Sequence, residues 1–190
     1  LTISRIILTF VFMFFLFSKG AAAKALAMYT FLLASFTDAL DGLIAKKKNI
    51  ITDFGRLMDP VADKILILAA FLAFVEMKLV PAWMVVIIIF REVSITGLRV
   101  LALTKGRVIS SDYGGKHKTV SQVFAIFVIL LFLVFKETGM GVFKFWNYNV
   151  EAIYKDVIFL LMLVTTILTL ISGVAYLVKN KEVYFNAKAN

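Results

Sequence analysis

Six apolar runs divide this chain: Ile3–Ser18, Ala21–Ala45, Val61–Met77, Val80–Thr104, Thr119–Phe135 and Tyr154–Val178. A helix needs roughly 20 mostly apolar residues to cross about 30 Å of hydrocarbon, and each run approaches that length. Inside lipid the backbone must satisfy its own hydrogen bonds, so runs this long are helices. Only 17% of the residues are charged, against about a quarter in a soluble domain. The expectation is an all-α polytopic membrane protein with six transmembrane helices, forming one domain over residues 1–190. No internal repeat, linker or separate soluble domain interrupts the pattern. The first residue is Leu1 and no cleavable signal is visible, so a short N-terminal stretch is expected to precede it.

Basic residues set the expected orientation. One set of ends carries Lys46, Lys47, Lys48, Arg56, Lys105, Arg107, Lys116, Lys118, Lys179, Lys181 and Lys188. The opposite ends carry only Lys19, Lys24, Lys78, Lys136, Lys144 and Lys155. The richer set is expected in the cytoplasm together with both termini, in a multi-pass protein of the inner (cytoplasmic) membrane. Trp83, Trp146, Tyr148 and Tyr154 then fall at the outer boundary, as an aromatic belt would. In so apolar a chain, a net charge of +9 fits an anionic membrane face or anionic substrate, and no nucleic acid is expected. The absence of cysteine excludes disulfides and thiolate metal sites.

Against this background the stretch "DALDGLIAKKKNIITDFGRLMDPVAD", from Asp38 to Asp63, is anomalous. A carboxylate in or beside hydrocarbon is costly and by default marks a functional site. Asp38, Asp41, Gly42 and Ala45 follow i, i+3, i+4, i+7 and share one face of the second helix. Gly55, Asp59 and Asp63 are spaced by four and share a face at the start of the third. Pro60 is expected in that helix's first turn, where proline is tolerated. Adjacent antiparallel helices would bring the two pairs together, and converging carboxylates need cations to neutralise them. An oxygen-only ligand set suits Mg²⁺ or Mn²⁺. Ions held that closely usually serve phosphoryl chemistry. The rival reading is a set of interfacial charges paired with Lys46–Lys48, Arg56 and Lys64. Helical spacing repeated twice inside apolar periods favours a chemical site.

The pattern Asp38-x2-Asp41-Gly42-x2-Ala45-Lys46-x8-Gly55-x3-Asp59-x3-Asp63 resembles the signature of the CDP-alcohol phosphotransferases. One position departs: the family has Arg where this chain has Lys46, so a planar fork is replaced by a point charge. The resemblance implies that Asp38, Asp41, Asp59 and Asp63 hold two divalent ions and that Asp63 also acts as base. It further implies that the CMP part of the donor lies against Thr37, Asp38, Gly42, Ala45, Lys46 and Gly55. A homodimer is implied in the same way.

A second cluster bears on the acceptor. Arg91, Glu92 and Arg99 interrupt the apolar fourth run, and Lys116 and Lys118 lie where the fifth begins. Buried arginines need a partner or an anion. Either an Arg91–Glu92–Arg99 structural network is present, or the surplus charge of Arg91, Arg99, Lys116 and Lys118 holds a phosphate-bearing acceptor. The stretch "REVSITGLRVLALTKGRVISSDYGGKHKT" resembles the phosphatidylglycerophosphate synthase branch of the same family. That resemblance implies CDP-diacylglycerol as donor and sn-glycerol 3-phosphate as acceptor. Inositol phosphate, serine or a cardiolipin-forming acceptor are the alternatives within the family. A small cation transporter is the remote rival, disfavoured because transporters hold their site near the bilayer midplane.

Four lesser features complete the expectations. His117 is read as a solvated loop residue, and Arg5 as a residue that either reaches substrate or snorkels to the headgroups. Val142–Asn149 is read as an interfacial outer segment, and the 19 phenylalanines as lipid-facing or packing residues.

Overall fold

The computed structural model describes residues 2–44, 53–104, 114–139 and 147–181, with side chains for 4–37, 64–102, 118–139, 147 and 149–181. Among them are six helices and no strand: α1 (Thr2–Phe17), α2 (Ala21–Ile44), α3 (Asp53–Glu76), α4 (Ala82–Thr104), α5 (Gly114–Thr138) and α6 (Tyr148–Lys179). α1 packs on α2 and α3, α2 on α5, α5 on α6, and α4 on α6; α3 touches α4 and α5.

The core draws on all six helices. Phe12 and Phe31 meet with ring centroids 5.7 Å apart, between α1 and α2. Phe71 and Phe74 of α3, Met84 and Ile88 of α4, Ile126 and Phe132 of α5 and Met162 of α6 join the same buried cluster. The outer surface is apolar as well: Phe10, Phe14 and Phe90 each expose 70% or more of their area. Apolar exposure on that scale is the surface of a protein solvated by lipid.

Two of the described helices, over Lys118–Thr138 and Asn149–Lys179, are long and apolar enough to cross a membrane. Ser4–Phe17 and Ala21–Thr37 are shorter apolar stretches. α4 is interrupted by Arg91, Glu92 and Arg99. Of these, Arg91 and Glu92 pair with each other inside the bundle.

The turns at the end away from Asp38–Asp63 have specific chemistry. Gly20 has φ of +98° between α1 and α2, a left-handed backbone that only glycine adopts cheaply. The Lys24 ammonium donates to the carbonyls of Leu16 at 2.6 Å and Ser18 at 2.8 Å, closing the end of α1. After α3, Leu79 N–H bonds the Phe74 carbonyl and Lys78 N–H bonds that of Val75, both at 2.9 Å. This is a Schellman cap, with Lys78 at φ of 56° in the position that usually holds glycine.

Three sequence expectations require correction. α3 begins at Asp53 and runs through Pro60, so the proline lies inside the helix and not in its first turn. α5 begins at Gly114, so His117 belongs to a helix and not to a loop. α6 begins at Tyr148, capped by the Asn147 side chain accepting from Val150 N–H at 3.0 Å, which takes the end of the expected Val142–Asn149 segment into a helix. The cause is common to all three. Hydropathy marks the stretch that fits in hydrocarbon, whereas a helix continues as long as its backbone is satisfied. At 32 residues α6 is about 48 Å long, well beyond the hydrocarbon thickness.

Candidate active site

Asp38 and Asp41 lie in the last two turns of α2, and Asp59 and Asp63 in the first three turns of α3. The α2 C-terminus and the α3 N-terminus are consecutive in the chain, so both carboxylate pairs belong to one end of the bundle. The reversal at Lys78 sends α4 back toward that end, where α4 finishes and α5 starts. The side chains of the four aspartates, Gly42 and Gly55 lie outside the described set, as do residues Ala45 and Lys46 altogether. Among the side chains that are described, no group of three His, Cys, Asp or Glu gathers as a metal centre.

Thr37 stands one residue before Asp38. Its hydroxyl donates to its own helix, at the carbonyls of Leu33 (3.0 Å) and Ala34 (2.9 Å). With its hydrogen committed, that oxygen can only accept a bond from a ligand.

The polar centre of the described site is Glu92, 5% exposed on α4. Three cations from three helices meet its carboxylate. Lys64 of α3 lies 3.2 Å from Oε2, Arg91 of α4 lies 3.3 Å from Oε1, and Lys118 of α5 also bonds Oε1. Lys64 additionally donates to the Glu92 carbonyl at 3.3 Å and to the Thr96 hydroxyl, which itself donates to that carbonyl at 2.7 Å. Among the described side chains, one carboxylate thus faces three basic groups. Lys64 directly follows Asp63, so the network starts one residue from the carboxylates.

The expected acceptor residues divide accordingly. Arg91 and Lys118 are brought together on Glu92. Arg99 is exposed, near enough to Arg91 for the two charges to interact. Among the described contacts, Glu92 pairs with Arg91 and not with Arg99, so the anticipated three-residue network is replaced by one centred on Lys64, Arg91 and Lys118. Lys116 lies in the first turn of α5, two residues before Lys118, with its side chain outside the described set. Arg5, at the same end of the bundle, is buried at 7% exposed rather than extended to the headgroups.

α6 contributes residues that the sequence reading overlooked. Arg91 donates from one terminal nitrogen to the Ser172 hydroxyl at 2.8 Å. Its stem lies over Gly173, where a Cβ would come within 2.8 Å of the Arg91 Cγ. Buried Gln122 of α5 reaches Thr169 of α6 at 3.5 Å. A sequence signal existed: small and hydroxylated residues inside an apolar span mark close helix contact.

The pattern of the CDP-alcohol phosphatidyltransferases matches residues 1–187. The chain belongs to that family. A Bacillus subtilis (strain 168) protein named CDP-diacylglycerol–glycerol-3-phosphate 3-phosphatidyltransferase is 38% identical over 152 residues, covering 80% of this chain and 72% of its own length. A protein of the same name from Rickettsia typhi (strain ATCC VR-144 / Wilmington) is 34% identical, covering 97% of this chain and 96% of its own. Membership of a phosphatidyltransferase family makes the chain an enzyme and removes the cation-transporter alternative. The aspartate signature that pointed to this family occupies the α2 and α3 ends described above. Carboxylate oxygens, the donors that the signature's aspartates carry, are the ligand type that suits hard divalent ions.

Proposed function

We propose that this phosphatidyltransferase moves a phosphatidyl group from CDP-diacylglycerol to sn-glycerol 3-phosphate, yielding phosphatidylglycerol phosphate and CMP. The observation that carries this reading is the gathering on Glu92 of three basic side chains, Arg91, Lys118 and Lys64, the last of them one residue along α3 from Asp63. A dianionic acceptor needs such a site, whereas serine needs it less. Arg91, Arg99, Lys116 and Lys118 bind and orient the acceptor phosphate, so that the primary hydroxyl of glycerol 3-phosphate faces Asp63. Asp63 takes the hydroxyl proton as the new phosphorus–oxygen bond forms and the bond to CMP breaks. Asp38, Asp41, Asp59 and Asp63 would hold two divalent ions, Mg²⁺ or Mn²⁺, which supply charge neutralisation at the pyrophosphate. Thr37, Asp38, Gly42, Ala45, Lys46 and Gly55 seat the CMP group, with the two glycines allowing close approach.

The same reading places all six helices across the inner membrane as a single domain, with both termini and the site on the cytoplasmic side. The excess of Lys and Arg at that end supports it. The working unit is a homodimer, by likeness to the family. The test is CMP release by purified protein in detergent with CDP-diacylglycerol. Release should require both glycerol 3-phosphate and a divalent ion, stop with EDTA, and return when Mg²⁺ or Mn²⁺ is added. Full turnover in chelator would remove the ions from the reading.

A further inference from the structure

We infer that Ser172 and Gly173 of α6 are positioning residues that hold the Arg91 guanidinium in place for the acceptor phosphate. The inference rests on the acceptor role proposed above for Arg91. Two of the three guanidinium nitrogens are already engaged. One terminal nitrogen meets Glu92 Oε1 at 3.3 Å and the other donates to Ser172 Oγ at 2.8 Å. The third, Nε, is buried and has no hydrogen-bond partner among the described residues. A buried N–H left over on a fixed, permanently charged plane is a donor awaiting an anion.

Gly173 is what lets the plane sit there. A Cβ at this position would lie 2.8 Å from Arg91 Cγ, 3.6 Å from Nε and 3.8 Å from Cδ. The Cγ is close to the backbone, so moving the far end of the side chain gives no relief. The χ angles would have to change, carrying the guanidinium off Ser172. Glycine is a poorer helix former than alanine, and here it permits the close approach of Arg91. α6 thereby reaches the acceptor end of the site through an α4 side chain.

The experiment measures initial rates of purified enzyme in detergent, varying each substrate in turn, for Gly173→Ala, Ser172→Ala and Arg91→Met. Arg91→Met keeps an apolar stem over Gly173 and removes the charge. Gly173→Ala should raise the KM for glycerol 3-phosphate by about tenfold, the scale of one lost charge-assisted contact, with kcat and the donor KM held. In the Arg91→Met background, Gly173→Ala should add nothing further. An unchanged acceptor KM in Gly173→Ala, or an equal rise in both backgrounds, overturns the positioning role. An unchanged acceptor KM in Arg91→Met overturns the acceptor reading itself, so the two failures are distinct. Should Arg91→Met fail to fold, Gly173→Ala alone decides: a raised acceptor KM with donor KM and kcat held supports the role, and any other result overturns it.

Discussion

Lys64 Nζ lies 3.2 Å from Glu92 Oε2, and this contact joins the helix bearing Asp59 and Asp63 to the helix bearing Arg91 and Arg99. Lys118 adds α5 to the same carboxylate. Helices α3, α4 and α5 are therefore tied to one another through one buried side chain.

Removing that carboxylate takes from the buried Arg91 and Lys118 the acidic partner they share among the described residues. Breaking a buried pair from one side costs about 3–5 kcal/mol, while the Lys64 arm, 30% exposed, contributes at the lower end. Glu92→Gln should lower the thermal midpoint in detergent clearly, and Glu92→Ala should lower it further. A wild-type midpoint for Glu92→Gln would show that the three cations are satisfied elsewhere.

Lys78 offers a prediction independent of activity. Its φ of 56° is strained for a residue with a Cβ, at about 1–2 kcal/mol per left-handed residue, and it lies at the end of the bundle away from the aspartates. Lys78→Gly should stabilise the fold by on the order of 1 kcal/mol, read as a raised midpoint of unfolding, with turnover unchanged. A lowered midpoint would contradict the cap assigned to α3.

Much of this arrangement was legible in the sequence, and particular residues show where legibility stopped. The apolar runs gave six helices because hydrocarbon demands length, and Asp38, Asp41, Asp59 and Asp63 stood out because charge beside lipid is rare. The starts of α3, α5 and α6 were misplaced, since polar residues such as Asp53, Gly114 and Tyr148 extend helices beyond the apolar stretch. Glu92 was recognisable as a counter-ion, but its partners were not. Lys64 and Lys118 are 28 and 26 residues from it, and only packing brings them together. Ser172 and Gly173 signalled a close helix contact, but not which side chain would cross them.

The role of Asp63 is open to a direct substitution. Asp63→Asn keeps the shape of the side chain and removes the ability to accept a proton. Turnover should fall by about 10²–10⁴-fold, the usual worth of a positioned base, while donor binding is largely kept. Asp38→Ala and Asp59→Ala should weaken donor and metal binding as well. A near-normal rate in Asp63→Asn would take the base role from it, and a loss of donor affinity alone would make it a ligand only.

The central claim is that the cations gathered near Glu92 select a phosphate-bearing acceptor, and that this acceptor is glycerol 3-phosphate. The most direct measurement offers glycerol 3-phosphate, inositol 1-phosphate, serine and phosphatidylglycerol in parallel to purified enzyme with CDP-diacylglycerol, reading kcat/KM for CMP release and identifying each lipid product. Glycerol 3-phosphate should be preferred, giving phosphatidylglycerol phosphate, and Arg99→Ala should raise its KM while leaving the donor KM nearly unchanged. A preference for inositol 1-phosphate would keep the cationic site and refute the substrate, and a preference for serine or phosphatidylglycerol would contradict the account.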